Sequence, residues 1–490
     1  MGKTYDISKL RKGLTKSISG IGTGFHNPDV WLNTGCYVLN YIISADFNRG
    51  VPLDKITMFA GSSGCLPETA IVKTPEKTIS IKELKELVKS GKKVEILTPS
   101  GYSEITEWFD KGLMKLYRIT TKNHSVDCAY NHLIKAVSFK DGFEWKPASQ
   151  LTTSDSIYTE SGIEDITSVE ELEEAECYDF TVNNEEHNFY SNGIESHNSG
   201  KSYITSGNLV KDALSKGVIV CLIDSEDALT EEWMNNLGVD TNNENLIRVQ
   251  TNSIEKVMQT VTEMTNWYSE TFAETPREEQ PGMYFVIDSL GALFPEDETK
   301  RFDEGELSMT DGMRNAGAKT KLMNHLINKT AGQKMGAAIT NHVYASTELY
   351  SPDKIGGGNK AIFLSSIIVQ MEKLMLKEDE QGNKTTEILG IRASCNAIKT
   401  RWNKPFEKVQ VQIPYTTGMN PYSGLFDFFE SRKLLERNGN KYMYKSLADG
   451  HEMFNEFRKN YTSEMYEEMM KDFTENYNKK ALMEAVEESK

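Results

Sequence analysis

Residues 61–64 read Gly-Ser-Ser-Gly and residues 199–202 read Ser-Gly-Lys-Ser. Set end to end they spell G-x-x-x-x-G-K-[ST], a loop whose backbone amides and lysine cradle phosphate groups. In the chain as written the loop is cut in two by residues 65–198, a domain's worth of polypeptide. A fold that binds nucleotide through this loop must bring the cut ends together, and must then deal with what lies between them. The intervening segment starts at Cys65 and ends at His197-Asn198, and Ser199 follows. Those residue types are the ones self-excision needs.

The Cys65 thiol can attack the Gly64 carbonyl and convert the amide to a thioester. The Ser199 hydroxyl can take over the acyl group as a branched ester. Asn198 can cyclise, its side-chain nitrogen attacking its own carbonyl, with His197 adjacent as acid or base. An oxygen-to-nitrogen acyl shift would then leave an ordinary peptide between Gly64 and Ser199. Each step gains from holding nucleophile and carbonyl together. Taken singly these residues have plainer readings: Cys65 as a buried thiol, His197-Asn198 as a turn. Their placement at the two cuts of one loop is what favours excision.

The chain has two textures. Around the insert, short apolar runs such as KITMFA (55–60), VIVCLID (218–224), MYFVIDSL (283–290), GAAIT (336–340) and SIIVQME (366–372) alternate with amphipathic segments at 202–217 and 253–270. That pattern predicts an α/β fold with a largely parallel sheet. Within the insert, TAIVKT, KVEILTP, YRITTK, SVDCAY, HLIKAV and YDFTV are short strands between turn residues, an all-β pattern. The tail from His451 onward is Met- and Glu-rich and reads as helical, its Met and aromatic positions forming a packing face. The expected domains are an arm at 1–24, a discontinuous core at 25–64 and 199–430, the insert at 65–198, and a helical acidic region at 431–490.

Composition narrows the function. The net charge of −17 speaks against general polyanion binding, although a local basic stripe is all a nucleic-acid site needs. The six cysteines form no C-x-x-C pair, which argues against a zinc site and a disulfide scaffold. A thiol nucleophile at Cys65 must stay reduced, which fits a cytoplasmic setting. The chain shows no secretory signal and no run of about 18 apolar residues, so no membrane association is expected.

The insert resembles the intein (Hint) family at both ends, in CLPETAIVKT and in NEEHNFYSNGIESHN before Ser199. The resemblance implies that His132, in CAYNHLI, activates the scissile amide. It also gives Asp179 and His187 accessory acid–base roles beside His197. The family's usual Thr three residues before that histidine is Ala129 here. The segment has no room for a homing endonuclease, so the resemblance is to a minimal intein.

In the joined loop, Gly61, Ser62, Ser63, Gly64, Ser199 and Gly200 would wrap the phosphates of ATP. Lys201 would supply charge, and Ser202 a hydroxyl to magnesium. Asp288, ending an apolar strand, fits the second magnesium-side carboxylate. The flanks, over about 25–64 and 199–430, resemble RecA-type recombinases, including the UvsX-like branch found in phages. The resemblance is carried by LNTGCYVLN, GVPLDKITMFAGSSG, IDSEDALTEEWMNNLGVD, FVIDSLGAL and ITNHVYAS. It implies that Glu226 is the general base, that Trp233 stacks on adenine, and that Asn341 or His342 senses the γ-phosphate. IKTRWNKPFEKVQVQIPY implies that Lys399 and Arg401 act on the ATP of a neighbouring subunit.

Two loops would line DNA on this resemblance, one after Leu293 and one from about Val343 to Lys360. The candidate contacts are Arg314, Tyr350, Lys354, Gly356, Gly357, Gly358 and Lys360. The implied function is an ATP- and magnesium-dependent filament on single-stranded DNA that pairs it with double-stranded DNA, aided by mediator and single-strand-binding proteins. The other readings are a helicase-like motor of the same fold, or a binding protein whose insert does not splice.

Overall fold

The computed structural model describes residues 8, 27–61, 65–90, 92–130, 132–138, 142–182, 188–197, 201–225, 229–303, 311–344, 354–355, 359–376, 390–414 and 418–488. All but one residue of the expected N-terminal arm lies outside this set.

The flanks build one nine-stranded sheet. Across it run Leu246–Gln250, Ile219–Asp224, Met283–Asp288, Met335–Tyr344, Ile56–Gly61, Ile367–Leu376, Gly390–Lys399 and Glu407–Pro414, with Lys354–Ile355 paired to Met335–Tyr344. The first six are mutually parallel. The last two are antiparallel additions. All five apolar runs are strands of this sheet. Their buried-on-both-faces character explains why they read as continuous apolar stretches.

Side-chain alternation divides the core into two layers. Phe59, Val220, Leu222, Tyr284 and Val286 join one cluster, while Met58, Ala60, Cys221, Ile223, Phe285 and Ile287 join the other. The second layer is covered by helices Ile254–Thr271 and Asp311–Thr330, which contribute Val257, Val261, Leu322 and Leu326. The first takes Val38, Leu39 and Ile42 from helix Tyr37–Ser44, and Ile204, Leu209 and Ala213 from the helical segment after Lys201. That segment is wound as a π-helix over Tyr203–Leu209 and as an α-helix over Val210–Ser215. The strand Ile56–Gly61, first of the six in sequence, lies in the interior of the sheet. The chain leaves it for the far side, so its C-terminal end is a topological switch point, where α/β sheets bind ligands.

The region 431–490, expected to be helical, is so only in part. Leu435–Asn438, Lys441–Lys445 and Glu452–Glu456 form a three-stranded antiparallel sheet before helix Ser463–Glu488. The first hairpin turns at Gly439, whose φ of +66° suits glycine. This region is also no separate unit. Met469, Met470 and Phe473 pack into the same layer as Phe47, Phe428 and Phe429, so its Met and aromatic positions do form a packing face.

The insert is sheet-rich, with ten strands in its main sheet and a core of its own that includes Ile119, Val126, Ile134, Ile157, Phe180 and Ile194. Its spine is the antiparallel pair Gly101–Thr121 and Gly162–Val182. The all-β expectation missed one element, helix Ile81–Lys89. Ser80 caps it in a reciprocal box with Glu83: Glu83 N donates to Ser80 Oγ, and Ser80 N donates to the Glu83 carboxylate, both at 3.1 Å.

Candidate functional site

Gly61 and Lys201, one from each half of the split loop, are neighbours. Gly61 ends its strand paired in parallel with His342 on one side and Met371 on the other. A Cβ at Gly61 would lie 2.8 Å from the Met371 carbonyl oxygen and 3.3 Å from Lys201 Cδ. Only glycine allows both strand and lysine to approach so closely. Lys201 is buried, and its Nζ donates to the Gly61 carbonyl at 3.3 Å across 140 positions of sequence. Ser202 is half-buried at the start of the same helical segment. Ser62, Ser63, Gly64, Ser199 and Gly200 lie outside the described residues.

Asp288 stands one strand over from Met335–Tyr344 and is buried. Ser206 Oγ donates to its Oδ2 at 2.6 Å, and Thr340 Oγ1 donates to its Oδ1. Behind it, Ser225 N donates to the Asp288 carbonyl at 2.8 Å. Ser225 Oγ both donates to Ser289 O and accepts from Ser289 N, each at 2.7 Å. These bonds tie the strand that leads to Glu226 to the strand that carries Asp288. Glu226 itself lies outside the described residues; flanking it, Asp224 accepts from Leu229 N at 3.2 Å and from Arg248 at 2.7 Å. Around Asp288, the sequence pattern names none of the partners Ser206, Thr340 and Ser225. The one available signal was Ser206, four residues beyond Ser202 and so on the same side of a helix.

Other expected residues fall at varying distances from that centre. Trp233 is half-buried and packs against the core layer that includes Ile204 and Leu209. Asn341 is buried, with its Nδ2 3.8 Å from Met58 Sδ, whereas only the backbone of His342 is described. Lys399 is engaged within its own chain: Nζ donates to the carbonyls of Ile362 and Phe363, both at 2.9 Å, at the end of helix Asn359–Leu364. Burial, and then the charge of Arg401, hold the Lys399 ammonium below its ordinary pKa. Arg401 is exposed.

The expected DNA loops are only partly loops. Glu296–Asp303 is a helix, and Arg314 is an exposed residue near the start of helix Asp311–Thr330. In the second, Val343 pairs with Ile355 and Tyr344 with Lys354, so its base is a zipped hairpin. Lys360 lies on helix Asn359–Leu364. Tyr350, Gly356, Gly357 and Gly358 lie outside the described residues.

At the insert's ends, strand pairing brings together the backbones of Cys65, His132, Asp179 and His197. Cys65 is buried among Met114, Leu116, Ala129 and Cys177. Its carbonyl accepts from Ala129 N at 2.9 Å, and the Ala129 carbonyl accepts from His132 N at 2.8 Å. A tight turn thus links the Cys65 backbone to that of His132, through Ala129. Leu66 pairs with Tyr178, placing Asp179 on the strand position next to Cys65's neighbour. Ile134 pairs with Ser196 in antiparallel register, which runs His132 toward the end that leads to Asn198. His197 pairs with Asn188, the residue after His187. His132 is buried, and burial pushes its imidazole down to about 3, so it is neutral at physiological pH. His187 and Asn198 lie outside the described residues, as do the side chains of Asp179 and His197.

Among the described residues no group of three or more His, Cys, Asp or Glu could hold a metal by itself, and no helix is long and apolar enough to cross a membrane. The residues around the split loop do suit a nucleotide-bound cation: one buried carboxylate fixed by hydroxyls, one buried lysine and a glycine-lined approach.

The RecA N-terminal domain family matches residues 192–420. Protein RecA of Caldanaerobacter subterraneus is 26% identical over 288 residues, covering 57% of this chain and 76% of its own length. Protein RecA of Streptomyces rimosus is 27% identical over 269 residues, covering 53% and 64%. Among solved structures, the VidaL intein is 39% identical, with 29% of this chain and 100% of its own covered and a TM-score of 0.27. A DnaB intein from Synechocystis is 25% identical, with 28% and 99% covered and a TM-score of 0.24. Residues 192–420 are thus similar to the RecA N-terminal domain, and a further part of the chain is similar in sequence to inteins.

Proposed function

We propose that the chain is a precursor. It removes residues 65–198 and joins Gly64 to Ser199, and the joined flanks act as an ATP-dependent recombinase on single-stranded DNA. The observation that carries this reading is the contact of Lys201 with Gly61, 140 positions apart. Gly61 and Lys201 are already in contact before any excision. Excision then needs to restore covalent continuity and not to refold the flanks.

In the splicing reaction, Cys65 Sγ would attack the Gly64 carbonyl, and its thiol proton would leave as the amide nitrogen becomes an amine. His132, neutral in its buried site, would orient that amide by hydrogen bonding and not by charge. Ser199 would displace the thiolate, Asn198 would release the insert as a succinimide, and His197 and His187 would move protons. In the product, Lys201 and the loop amides would bind the phosphates. Ser202 and Asp288 would hold magnesium, which supplies charge neutralisation when bound, and Glu226 would take a proton from water. Trp233 would face the base, Asn341 or His342 would respond to the γ-phosphate, and Lys399 with Arg401 would serve a neighbouring protomer's nucleotide.

For Lys399 that role requires it to give up the Ile362 and Phe363 carbonyls. Filament assembly would then be coupled to the helix that follows the Gly356-Gly357-Gly358 loop. The test is nucleotide hydrolysis by the ligated product with and without single-stranded DNA, alongside negative-stain microscopy. DNA-stimulated hydrolysis with helical filaments supports the proposal. Closed rings that translocate on DNA would point to a helicase-like motor, and no hydrolysis would remove the ATPase reading.

A further inference from the structure

Both carboxylate oxygens of Asp288 are served by hydroxyls that the phosphate-loop motif does not contain. Ser206 donates to Oδ2 at 2.6 Å and Thr340 donates to Oδ1. Ser206 and Thr340 are fully buried, and Asp288 is nearly so. The two donors come from different elements, the helical segment after the loop and the strand that pairs with both Met283–Asp288 and Ile56–Gly61. The carboxylate is therefore clamped between the helix that starts the phosphate site and the strand that ends beside Gly61.

We propose that Ser206 and Thr340 are positioning residues that fix the Asp288 carboxylate for a divalent cation. The proposal rests on the nucleotide-site reading above. A buried carboxylate needs hydrogen-bond partners, and these two hydroxyls supply one to each of its oxygens. Two donors on opposite oxygens also fix the plane of the group, which is what second-layer partners do for metal-binding carboxylates. Loss of such a partner typically costs about 10–100-fold in metal affinity.

The experiment uses the ligated product obtained from the full-length gene. A fluorescent ATP analogue is titrated at equilibrium, first in chelator and then across a magnesium series, for the parent, Ser206→Ala, Thr340→Val and Thr340→Ser. The expected result is that Ser206→Ala and Thr340→Val each raise the magnesium concentration for half-maximal affinity by at least about tenfold. Affinity in chelator should hardly change, which also shows that the variants are folded, and Thr340→Ser should behave like the parent. If the parent responds to magnesium and both hydroxyl-free variants follow the same curve, the proposal is overturned while the nucleotide site stands. If the parent's affinity ignores magnesium, the nucleotide-site reading fails and takes the proposal with it.

Discussion

His132 makes the insert's stability depend on pH in a calculable way. In the unfolded chain its imidazole titrates near 6.5; in the folded insert burial lowers this to about 3. Above 6.5 both states are neutral and the residue contributes no pH dependence. As pH falls below 6.5, the unfolded state takes a proton that the folded state refuses, so stability is lost until pH nears 3. At pH 5 the unfolded imidazole is about 1.5 units below its own pKa, and at about 1.36 kcal/mol per unit this costs about 2 kcal/mol. The assay uses the splicing-blocked chain Cys65→Ala/Asn198→Ala. Hydrogen exchange is followed in the insert strand Ser125–Ala129 at pH 7.5 and pH 5 and corrected for intrinsic rate. A second chain adds His132→Gln. The parent should lose about 2 kcal/mol more than the variant between the two pH values. Equal losses in both chains would refute the claim that His132 is held neutral by burial.

Three further outcomes follow from the packing. Ser80→Ala removes the cap that accepts from Glu83 N at 3.1 Å, and should cost helix Ile81–Lys89 about 1 kcal/mol by local hydrogen exchange; no change would mean that the box is unimportant. Asp472→Ala strips the acceptor from Tyr444 OH at 3.0 Å and Leu447 N at 2.7 Å, both joining the C-terminal helix to the three-stranded sheet. It should lower global stability by about 3 kcal/mol, read by chemical denaturation, and a loss under about 1 kcal/mol would contradict that tie. Lys399→Met removes both donors from the Ile362 and Phe363 carbonyls and should speed exchange in helix Asn359–Leu364 about tenfold. Unchanged exchange would show that the lysine does not hold that helix end.

Much of the fold could be read from residues because parallel strands buried on both faces are nearly uninterrupted apolar runs. MYFVID and VIVCLID leave little choice of secondary structure, and the split loop fixes which strand end matters. The helix at Ile81–Lys89 escaped although Ser80 and Glu83 spell a capping box, because the surrounding strands set a period of two and drew attention from it. The sheet at 435–456 escaped for a different reason. EMFNE has an exposed-to-half-buried pattern without clean alternation, and its acidic, Met-rich neighbours resemble a helix. The Gly439-Asn440 pair, at the two central positions of the turn, was the usable clue. At the site, Lys201, Asp288 and Cys65 were legible because the motif and the junction name them. Ser206 and Thr340 were not, since a serine in a helix and a threonine in a strand are common everywhere. What distinguishes them is that three separate elements converge on one carboxylate.

The central claim is that Gly64 and Ser199 become covalent neighbours. Mass spectrometry of protein expressed from the full-length gene measures this directly, by sequencing the peptide that spans the two cuts. The account predicts a tryptic peptide in which Gly61-Ser62-Ser63-Gly64 runs straight into Ser199-Gly200-Lys201, together with a free fragment of residues 65–198. Recovery of only the intact 490-residue chain, or of two flank pieces that never join, would contradict it.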